Sequence, residues 1–294
     1  MSLETAVVNI QGQYQIYTEF YHAEGAEKTI ILVNGSLATT ASFAQTVRYL
    51  YPTFNVVLYD LPYAGQSKPH NRHDQPISKE DEAGILLELI ELFGAEHVLS
   101  FSWGGAATLL ALTYQPRRVE KAVISSFSAQ LNGPMRDYLE QGERFLGACD
   151  RHNIACLINN TIGKHLPSLF KRFNYRHISS LDEHEYTQMH SHISEVLRQT
   201  SPCYTNFAAD IQVPLLFING ELDEYTSTAG AQLFTQHVGE CQLSTIANAG
   251  HFLDMEHKAA WQATQQAVLG FLQSNVRTER NHNTYAQQPR ALAG

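Results

Sequence analysis

The chain has 294 residues, a net charge of -9 with His neutral, a hydrophobic share of 44% and a charged share of 17%. That length can bury a large core in one or two domains, and the composition is that of a globular protein. The acidic balance argues against nucleic acid as a main partner. The start Met1-Ser-Leu-Glu-Thr has neither a basic region nor an apolar one, and no apolar run approaches the roughly 18 residues of a membrane span, so a cytoplasmic protein is expected. Cys149, Cys156, Cys203 and Cys241 lack Cys-x-x-Cys spacing, which favours reduced thiols, and without His-Glu-x-x-His no metal site is expected.

Ala6–Ile10 and Tyr14–Phe20 are β-rich runs around Gln11-Gly12-Gln13, which suggests an opening hairpin. Thr29–Val33 is continuously apolar, as in a strand buried on both faces, and ends in Asn34-Gly35-Ser36. A helix-like segment follows from Phe43 to Leu50, then a second buried strand at Asn55–Asp60, then a turn with Gly65 and Ser67 that we read as structural. Ile85, Leu86, Leu89, Ile90 and Phe93 fall at helical period, with Ser78 placed as N-cap and Gly94 as stop. Val98-Leu99 leads into Ser100-Phe101-Ser102-Trp103-Gly104-Gly105 and a small-residue helix, and Lys121–Ser126 is the next strand. Such alternation predicts an α/β protein, with a mostly parallel sheet and helices on both faces.

Alternation stops near Ala129, and helical patterns such as Met135–Ala148 and Glu183–Leu197 run on to about Pro202. This predicts a helical cap over 129–202, inserted in a core of 1–128 and 203–276, that walls off water and shapes a pocket. The core resumes with a strand at Val213–Ile218, a helix at Ala229–His237, a last strand at Cys241–Ile246 and a closing helix from about His257 to Leu272. The polar tail, 277–294, reads as disordered.

The segment around Ser102 has the layout of a nucleophile elbow, a sharp turn that lifts one hydroxyl above the sheet at a helix N-terminus. The usual Gly-x-Ser-x-Gly has Ser100 in place of its first glycine here, and by itself Ser102 could equally be a helix cap. Asp223 and His251 also follow strands, at the carboxyl edge where open α/β sheets place their sites. Each could be a turn residue. Together, in the order nucleophile, acid, histidine, they describe the catalytic triad of an α/β-hydrolase fold: Ser102 attacks an acyl carbon, His251 takes its proton and Asp223 orients the imidazole. Glu221, Glu224 and Asp254 are alternative acids. An oxyanion needs two fixed donors, each worth about 3 kcal/mol. The backbone N–H groups of Trp103 and Ser36 are the candidates, with Asn34 and Gly35 bringing the turn close to substrate.

Residues 32–43, Phe101–Gly105, Phe217–Tyr225 and Gly250–Asp254 resemble a pseudomonad enzyme family over nearly the whole chain. Its members are the 3-hydroxyacyl-carrier-protein transacylase or thioesterase of polyhydroxyalkanoate synthesis and the rhamnolipid enzyme that joins two 3-hydroxyacyl chains. Residues 163–177 look closer to the polyhydroxyalkanoate member, and Asn34 and Ser100 fit the habits of this subgroup. The resemblance implies medium-chain (R)-3-hydroxyacyl thioesters on acyl carrier protein as substrates. It implies no bound cofactor, with coenzyme A as a possible co-substrate. His177 and Asp182 also fit the His-x4-Asp pattern of glycerolipid acyltransferases, but they lie in the cap, where a structural or pocket-lining role is preferred.

Between Arg151 and Leu181 there is no Asp or Glu, but Arg151, Lys164, Lys171, Arg172 and Arg176 are present. In so acidic a chain this local reversal suggests either a solvated face or a docking surface for an acidic carrier protein. The acceptor stays open at this level. Water makes a thioesterase, coenzyme A a transacylase and a second hydroxyacyl chain an ester synthase. A generic ester or lactone hydrolase and a noncatalytic binding protein are the remaining alternatives.

Overall fold

The computed structural model describes residues 2–198 and 204–274. An eight-stranded sheet runs through it in the order β1-β2-β4-β3-β5-β6-β7-β8. The strands are β1 (Ser2–Ile10), β2 (Tyr14–His22), β3 (Thr29–Val33), β4 (Asn55–Tyr59), β5 (His97–Phe101), β6 (Lys121–Ser125), β7 (Leu215–Gly220) and β8 (Cys241–Ile246). β1 and β2 form the expected hairpin, and β2 joins β4 antiparallel; every pairing from β4 to β8 is parallel.

Alternation along the buried strands shows why both faces are covered. Ile31 and Val33 face a cluster with Ile85, Leu86 and Leu89 of α2 (Lys79–Phe93) and Leu109 and Leu112 of α3 (Gly104–Thr113). Ile30 and Leu32 face the opposite cluster, with Val47 and Leu50 of α1 (Ala44–Leu50) and Val268, Phe271 and Leu272 of α9 (Lys258–Gln273). Each fully buried aliphatic side chain contributes about 1.5–3 kcal/mol. Local signals agree with this packing. Ser78 Oγ accepts from the Asp81 N–H while the Asp81 carboxylate accepts from the Ser78 N–H, and Gly94 ends α2 in the left-handed conformation at φ 63.

Three elements differ from the sequence reading for a physical reason. β1 begins at Ser2 rather than Ala6, because it is an edge strand held by its ladder to β2 while its side chains stay largely exposed. β7 begins after Pro214, which has no N–H to give. The helix expected at Ala229–His237 is a short α8 (Thr228–Gln232) that tightens into a 3-10 turn over Leu233–Gln236, seating Phe234 on Phe217 with ring centroids 4.5 Å apart.

Between β6 and β7 the described chain folds into α4 (Gly133–Gly147), α5 (Arg151–Asn160), α6 (Ser168–Ser180) and α7 (Glu183–Arg198). These helices share an apolar cluster of their own, including Leu139, Leu146, Ile154, Leu157, Tyr186 and Met189. Leu37, Trp103 and Phe252, from loops at the carboxyl edge of the sheet, pack against that cluster and join it to the core. Cys149, Cys156 and Cys241 are unpaired thiols; Cys203 and the tail over 277–294 lie outside the described residues.

Candidate active site

β5 ends at Phe101, and Ser102 turns into the left-handed region at φ 51 before α3 begins. A serine in that conformation is strained, as expected where a turn must raise one hydroxyl clear of the sheet. Ser100 lies inside β5, paired with Val33 and Ile124 and not in a left-handed conformation, so a glycine is not required there. Glycine is required at Gly104, where a Cβ would come within 2.4 Å of the Asn34 carbonyl oxygen and 2.8 Å of that of Val33. At Gly35 a Cβ would lie 3.1 Å from the Phe101 ring and 3.4 Å from Ser102 Cβ. These two positions let the turn after β3 approach the elbow closely.

Ser102 Oγ lies 2.9 Å from His251 Nε2, and His251 Nδ1 lies 2.8 Å from Asp223 Oδ2. His251 is 2% exposed and Asp223 4%. Burial works against the Asp223 charge, yet the neighbouring His251 and hydrogen bonds from His251 and Thr226 hold the carboxyl well below the usual carboxylate range. Three supporting residues escape the sequence reading. Thr226 Oγ1 donates to Asp223 Oδ2 over 2.5 Å, while the Tyr225 and Thr226 N–H groups donate to Oδ1 over 3.0 and 3.1 Å. Glu256 accepts from the N–H groups on either side of His251, Gly250 over 2.6 Å and Phe252 over 3.0 Å. Ser126 Oγ donates to the His251 carbonyl over 2.7 Å. A hydroxyl three residues after Asp223 and an acid five after His251 are faint signals, because bonds that brace a loop, to a carboxylate or to backbone N–H groups, follow no fixed spacing.

The alternative acids are engaged elsewhere. Glu221 accepts from the Asn248 N–H over 2.8 Å, and Glu224 pairs with Lys164 over 2.6 Å. Asp254 accepts from Thr46 Oγ1 over 2.5 Å and Tyr49 OH over 3.3 Å, and burial pushes its carboxyl up to about 6.

The turn expected to hold an oxyanion lies beside the elbow. Asn34 Nδ2 donates to the Tyr59 carbonyl over 2.9 Å, which fixes the turn to the end of β4. The Ser36 and Trp103 N–H groups meet no protein acceptor among the described residues, so both are free to serve a substrate oxygen. Leu37 next to Ser36 is left-handed at φ 55, and its carbonyl lies 2.7 Å from His177 Nε2 on α6. Asp182 is not joined to His177; it pairs with Lys68 over 2.7 Å. Ligand atoms of Asp182, His184 and Glu185 cluster within 4.8 Å, but the Lys68 ammonium is already paired with both carboxylates, over 2.7 and 2.8 Å.

A cavity of about 400 Å³ is lined by Ser102, His251, Asn34, Gly35 and Ser36. It extends from Phe173, which is 54% exposed, to Tyr49, Thr264 and Val268, which are at most 3% exposed. An open end and a buried, mostly apolar end suit a substrate with a carrier on one side and a chain on the other. Among the five basic cap residues, three have partners. Arg151 donates to the Ser179 and Leu181 carbonyls, Lys164 pairs with Glu224, and Lys171 donates to the Lys164 carbonyl over 2.8 Å. Arg172 and Arg176 are exposed, with no hydrogen-bond or ion-pair partner among the described residues.

A model of the alpha/beta hydrolase fold family matches residues 28–258. The chain belongs to this family. Among its relatives is a Pseudomonas putida protein named (R)-3-hydroxydecanoyl-ACP:CoA transacylase, 62% identical over 288 residues that cover 98% of each chain. Proteins of the same name from Ectopseudomonas oleovorans and Pseudomonas aeruginosa are each 61% identical; the first covers 100% of both chains, the second 98% of this chain and 96% of its own. Among solved structures, a hydrolase from Pseudomonas aeruginosa superposes with a TM-score of 0.75 at 20% identity over 92% of this chain and 99% of its own. The enol-lactonase of Burkholderia xenovorans superposes with a TM-score of 0.76 at 17% identity over 92% of this chain and all of its own. These two likenesses carry the fold alone. No helix among the described residues is long and apolar enough to cross a membrane.

Proposed function

We propose that this α/β-hydrolase transfers an (R)-3-hydroxydecanoyl-type group from acyl carrier protein to coenzyme A through an ester on Ser102. The supporting observation is the Ser102–His251–Asp223 hydrogen-bonded chain in a protein 61% identical, end to end, to a transacylase of that name. Ser102 Oγ attacks the thioester carbonyl while His251 Nε2 takes its proton. The N–H groups of Ser36 and Trp103 hold the oxyanion. The C–S bond breaks, and the pantetheine thiol leaves with the proton from His251; a thiol with a pKa near 8.5 makes acylation the easier half. In the second half the coenzyme A thiol gives its proton to His251 and attacks the ester carbon. The new C–S bond forms, the C–O bond breaks and Ser102 recovers its proton. Asp223 keeps the imidazole in the required tautomer and balances its charge.

The test supplies 3-hydroxydecanoyl carrier protein with and without coenzyme A and identifies the product. Acyl-coenzyme A formed in preference to free acid supports the reading. Free acid at the same rate under both conditions makes the protein a thioesterase, and an ester of two hydroxyacyl chains makes it a synthase.

A further inference from the structure

We propose that the outer face of α6, formed by Leu169, Arg172, Phe173 and Arg176, is the surface on which the acidic carrier protein docks to deliver its thioester. The proposal rests on the transacylase reading and names the partner's landing site. The four residues are three or four positions apart and so share one helix face. Leu169 is 52% exposed and Phe173 54%, and both arginines are exposed. The opposite face is committed to the cap: Ile178 is buried, and Asn174 Nδ2 donates to Asn159 Oδ1 over 2.8 Å.

Three observations select an acidic protein as occupant. The chain carries -9 overall, so an acidic partner is repelled by most of the surface and attracted only where the sign reverses. No acid lies between Arg151 and Leu181, and Arg172 and Arg176 are the two basic residues of that stretch whose charges are not already used inside the protein. Finally, Phe173 both stands in solvent and lines the cavity that holds Ser102, so this face borders the opening through which a pantetheine arm enters. An apolar pair flanked by guanidiniums matches a helix with acidic residues beside an apolar ridge: the apolar contact supplies holding, the arginines supply steering and orientation.

The test is the rate of acylation of Ser102, followed by intact-protein mass, in wild type and Arg172→Glu/Arg176→Glu. Donors are 3-hydroxydecanoyl carrier protein and the N-acetylcysteamine thioester of the same acid. Neither arginine lines the cavity. The expected result is a loss of about 10- to 100-fold with the carrier, little change with the small thioester, and a salt dependence that the wild type shows and the variant lacks. Leu169→Ser should give a smaller, salt-independent loss on the carrier alone. Equal loss on both donors, or none on the carrier, overturns the docking site. Two results overturn it in favour of another occupant: unchanged acylation with slowed deacylation by coenzyme A assigns the arginines to that coenzyme's phosphates, and α6-dependent binding to phosphatidylglycerol vesicles with unchanged acylation assigns them to a lipid surface. A wild type that accepts the small thioester but not the carrier overturns the transacylase reading as well, which separates the two failures.

Discussion

The two walls of the cavity are built in different ways. On the core side, the elbow is tied by the Ser102 N–H to the Ser125 carbonyl over 2.8 Å, Asp223 accepts from the Thr226 hydroxyl and from the Tyr225 and Thr226 N–H groups, and Glu256 and Ser126 grip the backbone around His251. On the cap side, α6 reaches the core loops among the described residues through one hydrogen bond, His177 to Leu37, and its outer face is exposed. Chemistry needs atoms fixed to within fractions of an ångström, whereas admitting a carrier arm needs a wall that yields. The contrast sets a densely braced catalytic wall against one tied to the core loops by fewer bonds.

The largest expected effect is on the rigid wall. Asp223→Asn should lower kcat by about 10⁴-fold while leaving the fold intact, since the imidazole then presents the wrong tautomer. A circular dichroism melt beside the acylation rate checks this, and a loss below tenfold would mean that Asp223 does not orient His251. Next comes the junction of the two walls. His177→Ala should slow acylation by about tenfold, the scale of one hydrogen bond of roughly 0.5–1.5 kcal/mol, through misplacement of the Ser36 N–H. His177→Gln, which keeps a donor, should recover part of the rate. If His177 instead performed proton transfer, Gln would rescue nothing and the pH profile would change shape.

The smallest effect concerns stability. Burial raises the folded Asp254 carboxyl to about 6 from an ordinary 3.8, so its neutral form is favoured in the native state. Such a group leaves stability intact below about pH 4 and costs stability as pH rises to about 6, beyond which the loss is constant. Asp254→Asn should therefore melt close to wild type at pH 4 and above it by a few degrees at pH 8. A constant difference across that range would contradict the assignment.

How much of this was legible in the sequence follows the same division. β3 and β4 are legible because strands buried on both faces are continuous apolar runs, and Ser102, Asp223 and His251 because each follows a strand, in the order nucleophile, acid, histidine. The first half of β1 carries no sequence signal, since an exposed edge strand is defined by its ladder and not by hydrophobicity. Thr226 and Glu256 leave no sequence signature because their bonds, to the Asp223 carboxylate and to the N–H groups flanking His251, join loop residues at no fixed spacing. The basic stretch of the cap was visible as charge, but only geometry separates Arg151 and Lys171, whose charges face carbonyls inside the protein, from Arg172 and Arg176.

The central claim, acyl transfer through Ser102, is tested most directly by brief incubation with 3-hydroxydecanoyl carrier protein followed by intact mass and peptide mapping. The account predicts one 3-hydroxydecanoyl group on the peptide containing Ser102, discharged on addition of coenzyme A and absent from Ser102→Ala. Acyl-coenzyme A formation by Ser102→Ala at an undiminished rate, or an adduct on another residue, would contradict it.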